Sequence, residues 1–352
     1  MCKVEFFQKE SCFQLTKGDE NVSFPYIPDS KNILPDLKDE SFDIILLNNP
    51  FLHKEINRFV IKFDDSEERA GFLFPISLLE SEEIDDKHWL SYMFVAYRKL
   101  LLEIKNEATG VLSDSFPDAY VLAIHKPTKP DFQLKEYILS LAHYGFYEYK
   151  KEIGSRYPKL DCLESQPKNI HLWKASVDNL QNDYVKDLIT NRLCLTADFL
   201  TRFVLVYQIV ELYISEIHHK LLDDSIDKYK RKEMTRNEFS EELKKISRES
   251  YQIEQLVKGL HDEEVCIKYR SDVLSLFNDV GCSTDDKSKA LDSLLYKLRN
   301  QIFHSYNIFD EHEDALNQVI FSFERVILML LSKKLINDQN LNHGIIATEE
   351  HV

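Results

Sequence analysis

The chain has 352 residues, of which 43% are hydrophobic and 30% are charged, and its formal net charge at neutral pH is -16. A single hydrophobic core becomes inefficient beyond about 250–300 residues, so the length predicts two domains of ordinary globular composition. Residues 1–182 and 183–352 each contain 22 Lys and Arg against 30 Asp and Glu. This even acidic balance excludes a broad nonspecific nucleic-acid surface on either half, because such surfaces depend on clustered positive charge.

The apolar and cysteine patterns indicate the cellular compartment. No run of about 18 uncharged apolar residues occurs, and the first residues, MCKVEFFQKE, lack the apolar core of a signal peptide. The six cysteines are scattered without a CxxC pair, and the eight glycines form neither a GxGxxG nor a Walker-type loop. We therefore expect a cytoplasmic protein with no membrane partner, no metal and no cofactor.

The first part of the chain alternates between strand and helix patterns. Short segments rich in aromatic and β-branched residues predict strands at 42–49, 58–63, 70–78, 119–126, 144–153 and 169–175. Helical spacing predicts helices at 86–109 and 131–144, the second capped by Asp131. Residues 1–175 are therefore expected to form a mixed α/β domain that senses a trigger or binds a partner.

The second part of the chain has an almost uninterrupted helical pattern. The last prolines are Pro158 and Pro167, so we place the boundary between residues 165 and 182 and expect an all-α domain over 176–340, giving an α+β protein overall. Residues 341–352 are expected to be a frayed polar tail. Helices are predicted at 178–193, 197–222, 236–248, 250–261, 264–279, 286–306 and 311–336, the sixth capped by the STDD segment at 283–286.

The predicted helix 197–222 is apolar around most of its circumference, which indicates a central position. Its polar residues, among them Glu211, recur at helical spacing and form one narrow strip. A buried strip is costly unless it is hydrogen-bonded or faces a site. We expect Glu211 to pair with Arg299, either within a site or as a buried ion pair that fixes helix register.

Arg299 opens a short polar motif, RNQIFH, in which Asn300 follows directly and His304 comes five residues later. With its all-helical surroundings and the acidic residue in YQIVELY (207–213), this motif resembles that of the HEPN family of helical ribonuclease domains over residues 183–336. It is most similar to the branch of ApeA-like abortive-infection proteins. The resemblance implies a homodimer whose two motifs face one cleft, and cleavage of RNA to leave a 2′,3′-cyclic phosphate.

The motif residues suit RNA cleavage without a metal. Such a reaction needs proton transfer at the ribose 2′-hydroxyl and positive charge where the phosphorane gathers negative charge. His304 could transfer the proton at neutral pH, and the Arg299 fork could hold the scissile phosphate. Asn300 could orient either group, so we take Arg299, Asn300, His304 and Glu211 as candidate catalytic residues.

The helical phase raises one difficulty. At about 100° per residue, His304 lies roughly 140° around the helix from Arg299, whereas Asn300 and His304 share a face. Either the helix distorts near Phe303, or the arginine side chain curls around the helix, or His304 meets Arg299 of a second copy.

The leading hypothesis is a metal-independent endoribonuclease effector of phage defence or of a toxin–antitoxin pair. Its substrate would be tRNA, rRNA or mRNA, and its first domain would bind a phage trigger or an antitoxin. The basic cluster KYKRKEMTR at 228–236 is a candidate RNA-contacting loop or a solvated helix boundary. One alternative is a non-catalytic HEPN-like dimer that acts as a binding or regulatory module. Another is an unrelated two-domain protein.

Overall fold

The structure is a computed structural model that describes residues 2–7, 12–17, 20–25, 41–52, 58–80, 87–104, 111–154, 157–161, 167–175, 182–260, 262–282 and 289–346. The chain forms two compact units, one of residues 1–181 and 189–197, the other of residues 182–188 and 198–352. Residues 189–197, which follow the expected boundary, thus belong to the first unit. Strands occur only in the first unit among the described residues, and the predicted α+β class is confirmed.

The first unit begins with a small antiparallel sheet in sequence order. Its strands are β1 (Cys2–Phe7), β2 (Cys12–Lys17) and β3 (Glu20–Pro25). Phe13 of β2 is fully buried, and its ring centroid lies 5.2 Å from those of both Phe94 and Tyr97 on helix α1 (Lys87–Glu103). This aromatic contact joins the small sheet to the rest of the unit.

The main sheet of the first unit has six strands. They are β4 (Phe42–Asn48), β6 (Phe59–Phe63), β7 (Ser66–Pro75), β8 (Ala119–His125), β9 (Tyr147–Glu148) and β11 (Asn169–Leu172). Their spatial order is β11-β6-β7-β8-β4-β9, antiparallel throughout except for the parallel pair β11-β6. A separate parallel pair joins β5 (Phe51–Leu52) to β10 (Leu160–Asp161).

Apolar side chains cover both faces of the main sheet. On one face, Phe72 and Val121 pack against α1 and the short helix α2 (Leu112–Ser115), with Trp89 in edge contact with Phe72. On the other face, Leu122 packs near Tyr137 of helix α3 (Leu134–His143). The period-two alternation of the strands therefore divides their side chains between two apolar layers.

Two local predictions in the first unit are wrong. The segment 144–153 was expected to be a strand, but only Tyr147 and Glu148 pair, because Gly145 adopts a turn with φ +83° and residues 151–153 form another turn. Helix α3 begins at Leu134 with Gln133 before it, so Asp131 lies in the preceding turn and does not cap it.

The second unit is a bundle of helices. They are α4 (Asp183–Asp187), α5 (Phe199–Lys230), α6 (Arg236–Ile246), α7 (Glu249–Leu256), α8 (Glu264–Asp279), α9 (Leu291–His304) and α10 (Glu313–Ile346). Helix α5 packs against α6, α7 and α10, while α9 packs against α7 and α8. Asp198 caps α5 through the Thr201 amide, and Thr235 and Glu238 form a capping box at α6.

Several helix bounds in this half differ from those predicted. The helix expected at 178–193 is divided into α4, a π-helical turn (Leu188–Arg192) and a 3-10 turn (Leu193–Leu195). Helix α5 runs eight residues past its expected end at 222, to Lys230. The STDD segment lies outside the described residues, and α9 begins only at Leu291. Helix α10 continues to Ile346, into the stretch expected to fray, while residues 347–352 lie outside the described part.

One described segment, Glu313–Ser332 of α10, is long and apolar enough to cross a membrane by length and composition, with a mean hydropathy of 1.4. However, 72% of this segment is buried inside the structure. Such burial is typical of a core helix, so the segment is consistent with a soluble protein.

Candidate active site around Arg299

The motif residues lie in the last turns of α9. Residues on one face of this helix are buried, among them Leu298 and Ile302. The motif side chains emerge where that apolar face ends: Asn300 is half-buried and His304, the last helical residue, is exposed. Burial of the helix thus fixes a polar cluster at its carboxyl end.

Helix α9 is regular through His304, so it does not distort near Phe303 as one expectation allowed. Instead the arginine side chain turns along the helix: Arg299 Nη1 donates to Asn300 Oδ1 at 3.0 Å. Its guanidinium carbon lies 5.2 Å from the Phe303 ring centroid and 5.8 Å from that of Tyr207. The structure shows no hydrogen bond between Arg299 and His304 within the described chain.

Glu249 lies beside Arg299, with 3.9 Å between Arg299 Nε and Glu249 Oε1. It is the first residue of α7, where the helix dipole favours negative charge. The Tyr207 hydroxyl donates to Glu249 Oε1 at 2.8 Å. Burial, together with this hydrogen bond, raises the pKa of Tyr207 well above its usual value. Tyr207 is therefore a stable neutral donor that orients the carboxylate.

Arg299 is held in place without all of its donors being used. Its side chain is 24% exposed and that of Glu249 is 32% exposed, so this is a loose and partly solvated pair. Arg299 Nε is itself buried and has no hydrogen-bond partner. This nitrogen faces Glu249 Oε1 at 3.9 Å, which is beyond hydrogen-bond distance, so the interaction between the two side chains is electrostatic.

The expected pairing of Glu211 with Arg299 is wrong, because the carboxylate beside Arg299 belongs to Glu249. Glu211 lies one turn after Tyr207 on α5, and its side chain is exposed. It contributes only a through-space effect that helps to raise the pKa of Tyr207. The physical reason is that α9 packs against α7, which places the amino end of α7 over Arg299.

The bundle does contain a buried ion pair of the register-fixing kind, at a different position. Arg202 on α5 donates from Nε to Glu324 Oε2 at 2.9 Å and from Nη2 to Glu324 Oε1 at 2.6 Å. The two side chains are 0% and 4% exposed. This bidentate pair joins α5 to α10, so the structural role considered for Arg299 is filled by Arg202.

The basic cluster 228–236 spans the exposed end of α5, the following turn and the start of α6. Within it, Arg231 pairs with Glu233 at 3.0 Å, and Lys232 takes a φ of +62° in the turn. Lys230 and Tyr207 are separated along α5 by roughly 35 Å at 1.5 Å per residue. The cluster therefore occupies the helix boundary and does not join Arg299 within one chain.

Two exposed aromatic rings flank His304 and were not foreseen as site residues. Phe303 is 46% exposed and Tyr306 is 39% exposed, although large aromatic side chains are usually more buried. Such rings are suited to stacking on unpaired bases. These residues lie on either side of the histidine and off the Leu and Ile stripe of the helix, and these positions could have predicted from the sequence that they are exposed beside the motif.

Within the described residues, no group of three or more His, Cys, Asp or Glu side chains could hold a metal ion. Comparisons with protein-family models, curated proteins and solved structures gave no match to this chain.

Proposed function

We propose that the protein is a cytoplasmic, metal-independent endoribonuclease of the HEPN type, with Arg299 and His304 at its catalytic centre. The observation that carries the proposal is the position of Arg299: Glu249 and Asn300 flank its guanidinium near the exposed end of α9, and its side chain remains 24% exposed. A phosphate oxygen is the acceptor that a guanidinium fork binds best.

In the proposed reaction, His304 takes the proton from a ribose 2′-hydroxyl, and the 2′-oxygen forms a bond to phosphorus. The bond from phosphorus to O5′ then breaks, and O5′ leaves with a proton from water. The resulting hydroxide takes the proton that His304 holds, which restores the neutral imidazole. Arg299 stabilises the negative charge that gathers on the phosphorane oxygens. The products are a 2′,3′-cyclic phosphate and a 5′-hydroxyl end.

The proposal assigns the two groups of one site to two copies of the chain. His304 and Arg299 lie on different sides of α9 and make no hydrogen bond with each other. A twofold pairing of two α9 ends would bring His304 of one copy to Arg299 of the other without bending the helix. The first unit would then bind a phage trigger or an antitoxin that controls this dimer.

An RNA cleavage assay on the purified protein tests the assignment. Arg299→Ala and His304→Ala should each lower the cleavage rate by about 10²–10⁴, the usual range for losing a proton-transfer or charge-stabilising group. Arg299→Lys should also lose activity, because it keeps the charge without the fork. His219→Ala is the matched control, since His219 is exposed on α5. Variants of Arg299 and His304 that cut like the parent would refute the assignment.

Mixing the two inactive variants tests the shared site. A heterodimer of Arg299→Ala and His304→Ala contains one complete pair, so random exchange should restore about one quarter of the parental rate. Cleavage that stays at the level of the separate variants, while exchange is shown by mass-tagged chains, would exclude the two-copy arrangement.

A second candidate function is a non-catalytic binding module. The observation that favours it is the linkage of Tyr207, Glu249 and Arg299, a network that also fits a purely structural role. It predicts that Arg299→Ala lowers thermal stability and that His304→Ala, at an exposed position, leaves stability unchanged. It also predicts that no RNA is cleaved. Cleavage by the parent but not by a stable His304→Ala variant excludes it.

A further inference from the structure

The first unit contains a cavity of about 290 Å³ at one edge of the main sheet. Strands β4 and β7 run in the same direction on either side of β8, and both end at this cavity. The carboxyl ends of strands in an open sheet are a common place for ligands. The cavity is lined by residues from these strand ends, from the start of β8 and from the segment before β10.

Asn48, at the end of β4, lines this cavity and has an unusual buried side chain. It is 1% exposed, and neither its amide nitrogen nor its amide oxygen has a hydrogen-bond partner. The preceding residues on the same face of β4, Ile44 and Leu46, pack against the apolar cluster. A buried amide with two unused groups destabilises the free protein unless an outside molecule satisfies it.

The neighbouring asparagine shows the contrast. Asn49 Oδ1 accepts a hydrogen bond from the backbone amide of Phe51 at 2.9 Å, so Asn49 serves the turn between β4 and β5. Turn formation thus accounts for Asn49 but not for Asn48. The amide groups of Asn48 therefore remain available to bind a ligand in the cavity.

Aromatic and proline side chains form part of the cavity wall. Phe51 and Tyr157 are buried, and the Tyr157 hydroxyl accepts a hydrogen bond from the backbone amide of Lys150. Pro75 and Pro158 add further apolar surface. Aromatic and proline side chains of this kind favour a ligand with a planar ring over a ligand with a flexible chain.

The charges at the cavity are balanced among the described lining residues. Lys159 Nζ lies 3.1 Å from Asp118 Oδ1, with side chains 52% and 42% exposed. No other described lining residue is charged. A phosphate would have to compete with Asp118 for the one cation, so the lining favours an uncharged ligand.

We propose that this cavity binds the base of a nucleoside, with the Asn48 amide paired to the hydrogen-bonding edge of the ring. A carboxamide offers a donor beside an acceptor, which matches the adjacent acceptor and donor on a nucleobase edge. The volume is near the lower end of small-molecule pockets, roughly 300 Å³, and suits one base. The site belongs to the first unit and does not depend on the ribonuclease proposal.

Calorimetric titration of the full chain with adenosine, guanosine, cytidine and uridine, each alone, tests the proposal. At least one nucleoside should bind, and Asn48→Leu should weaken that binding about five- to a hundredfold, the range for losing a bidentate base contact. Asn169→Leu, at an exposed residue of β11, should bind like the parent. The melting temperature of Asn48→Leu should equal or exceed that of the parent, because the substitution removes an unsatisfied amide.

A second measurement keeps the test decisive if Asn48→Leu does not fold. The nucleoside that binds the parent should fail to bind once its pairing edge is blocked, by dimethylation of the exocyclic amine of adenosine or cytidine, or by methylation of N1 of guanosine or N3 of uridine. No binding of any of the four nucleosides at millimolar concentration would overturn the proposal and leave a water-filled cavity. Equal binding by parent and Asn48→Leu, or by blocked and unblocked nucleosides, would overturn it as well.

Discussion

Replacing one member of the buried pair Arg202–Glu324 should destabilise the second unit strongly. In Arg202→Met, the Glu324 carboxylate loses hydrogen bonds of 2.9 and 2.6 Å while its side chain is only 4% exposed. Removing one partner of a buried ion pair costs about 3–5 kcal/mol. For a domain of this size each kcal/mol corresponds to about 2–4 °C, so the melting temperature should fall by about 6–20 °C.

The two units can be followed by different signals. Both tryptophans, Trp89 and Trp173, lie in the first unit, so tryptophan fluorescence reports that unit alone. Far-ultraviolet circular dichroism is dominated by helices, most of which lie in the second unit. Arg202→Met should therefore lower the melting temperature measured by circular dichroism. The melting curve measured by fluorescence shows whether the first unit remains folded.

The double variant Arg202→Met/Glu324→Leu should recover most of the lost stability. In this variant, apolar side chains of similar volume pack where the ion pair was, and neither of the two positions carries a charge. Arg236→Met, at an exposed position, should change the unfolding free energy by less than about 0.5 kcal/mol. A cost below about 1 kcal/mol for Arg202→Met, or a double variant as unstable as the single one, would refute the assignment of this pair as buried and mutually dependent.

Three further predictions concern the site and the first unit. Glu249→Gln should lower the rate of RNA cleavage about ten- to a hundredfold, because Arg299 is held less firmly. Glu211→Gln should leave the rate within about twofold of the parent, and equal effects of the two variants would contradict the role of Glu249. Phe303→Ala should raise the Kd for single-stranded RNA about five- to a hundredfold if the exposed ring stacks on a base, and an unchanged Kd would exclude stacking. Burial lowers the pKa of His125, so the stability it contributes is complete above its usual pKa and is lost as pH falls from that value through the lowered folded-state pKa. The fluorescence-detected unfolding midpoint should therefore fall less between pH 7.5 and about pH 5.5 in His125→Gln than in the parent, and parallel curves would contradict this.

Much of the fold follows from patterns that depend on local sequence. The strands β4 and β8 and the helices α5 and α8 have the apolar period that burial on one or two faces requires. The small sheet of β1–β3 was not predicted, and the helix expected at 178–193 is divided although no Pro or Gly interrupts it. In those places the structure depends on packing against distant parts of the chain, which the local sequence pattern does not reveal.

The candidate site was predictable only in part, for a similar reason. The motif residues could be placed on one helix, and its phase indicated that Arg299 and His304 point apart. The partner of Arg299 could not be predicted, because Glu249 is separated from it by about fifty residues and only the packing of α7 on α9 brings them together. Glu211 had the more regular helical spacing, but spacing on one helix does not determine which helix faces it.

Metal-independent RNA cleavage through His304 is tested most directly with an RNA oligonucleotide and the purified protein in the presence of EDTA. The same oligonucleotide with a single 2′-deoxy substitution at the mapped cleavage site serves as the comparison. We predict that the parent protein cuts the normal RNA to a 2′,3′-cyclic phosphate end and leaves the deoxy-substituted RNA intact. Replacing His304 by Ala should abolish cleavage of the normal RNA. Cleavage of the deoxy-substituted RNA, or an unchanged rate with His304→Ala, would contradict these predictions.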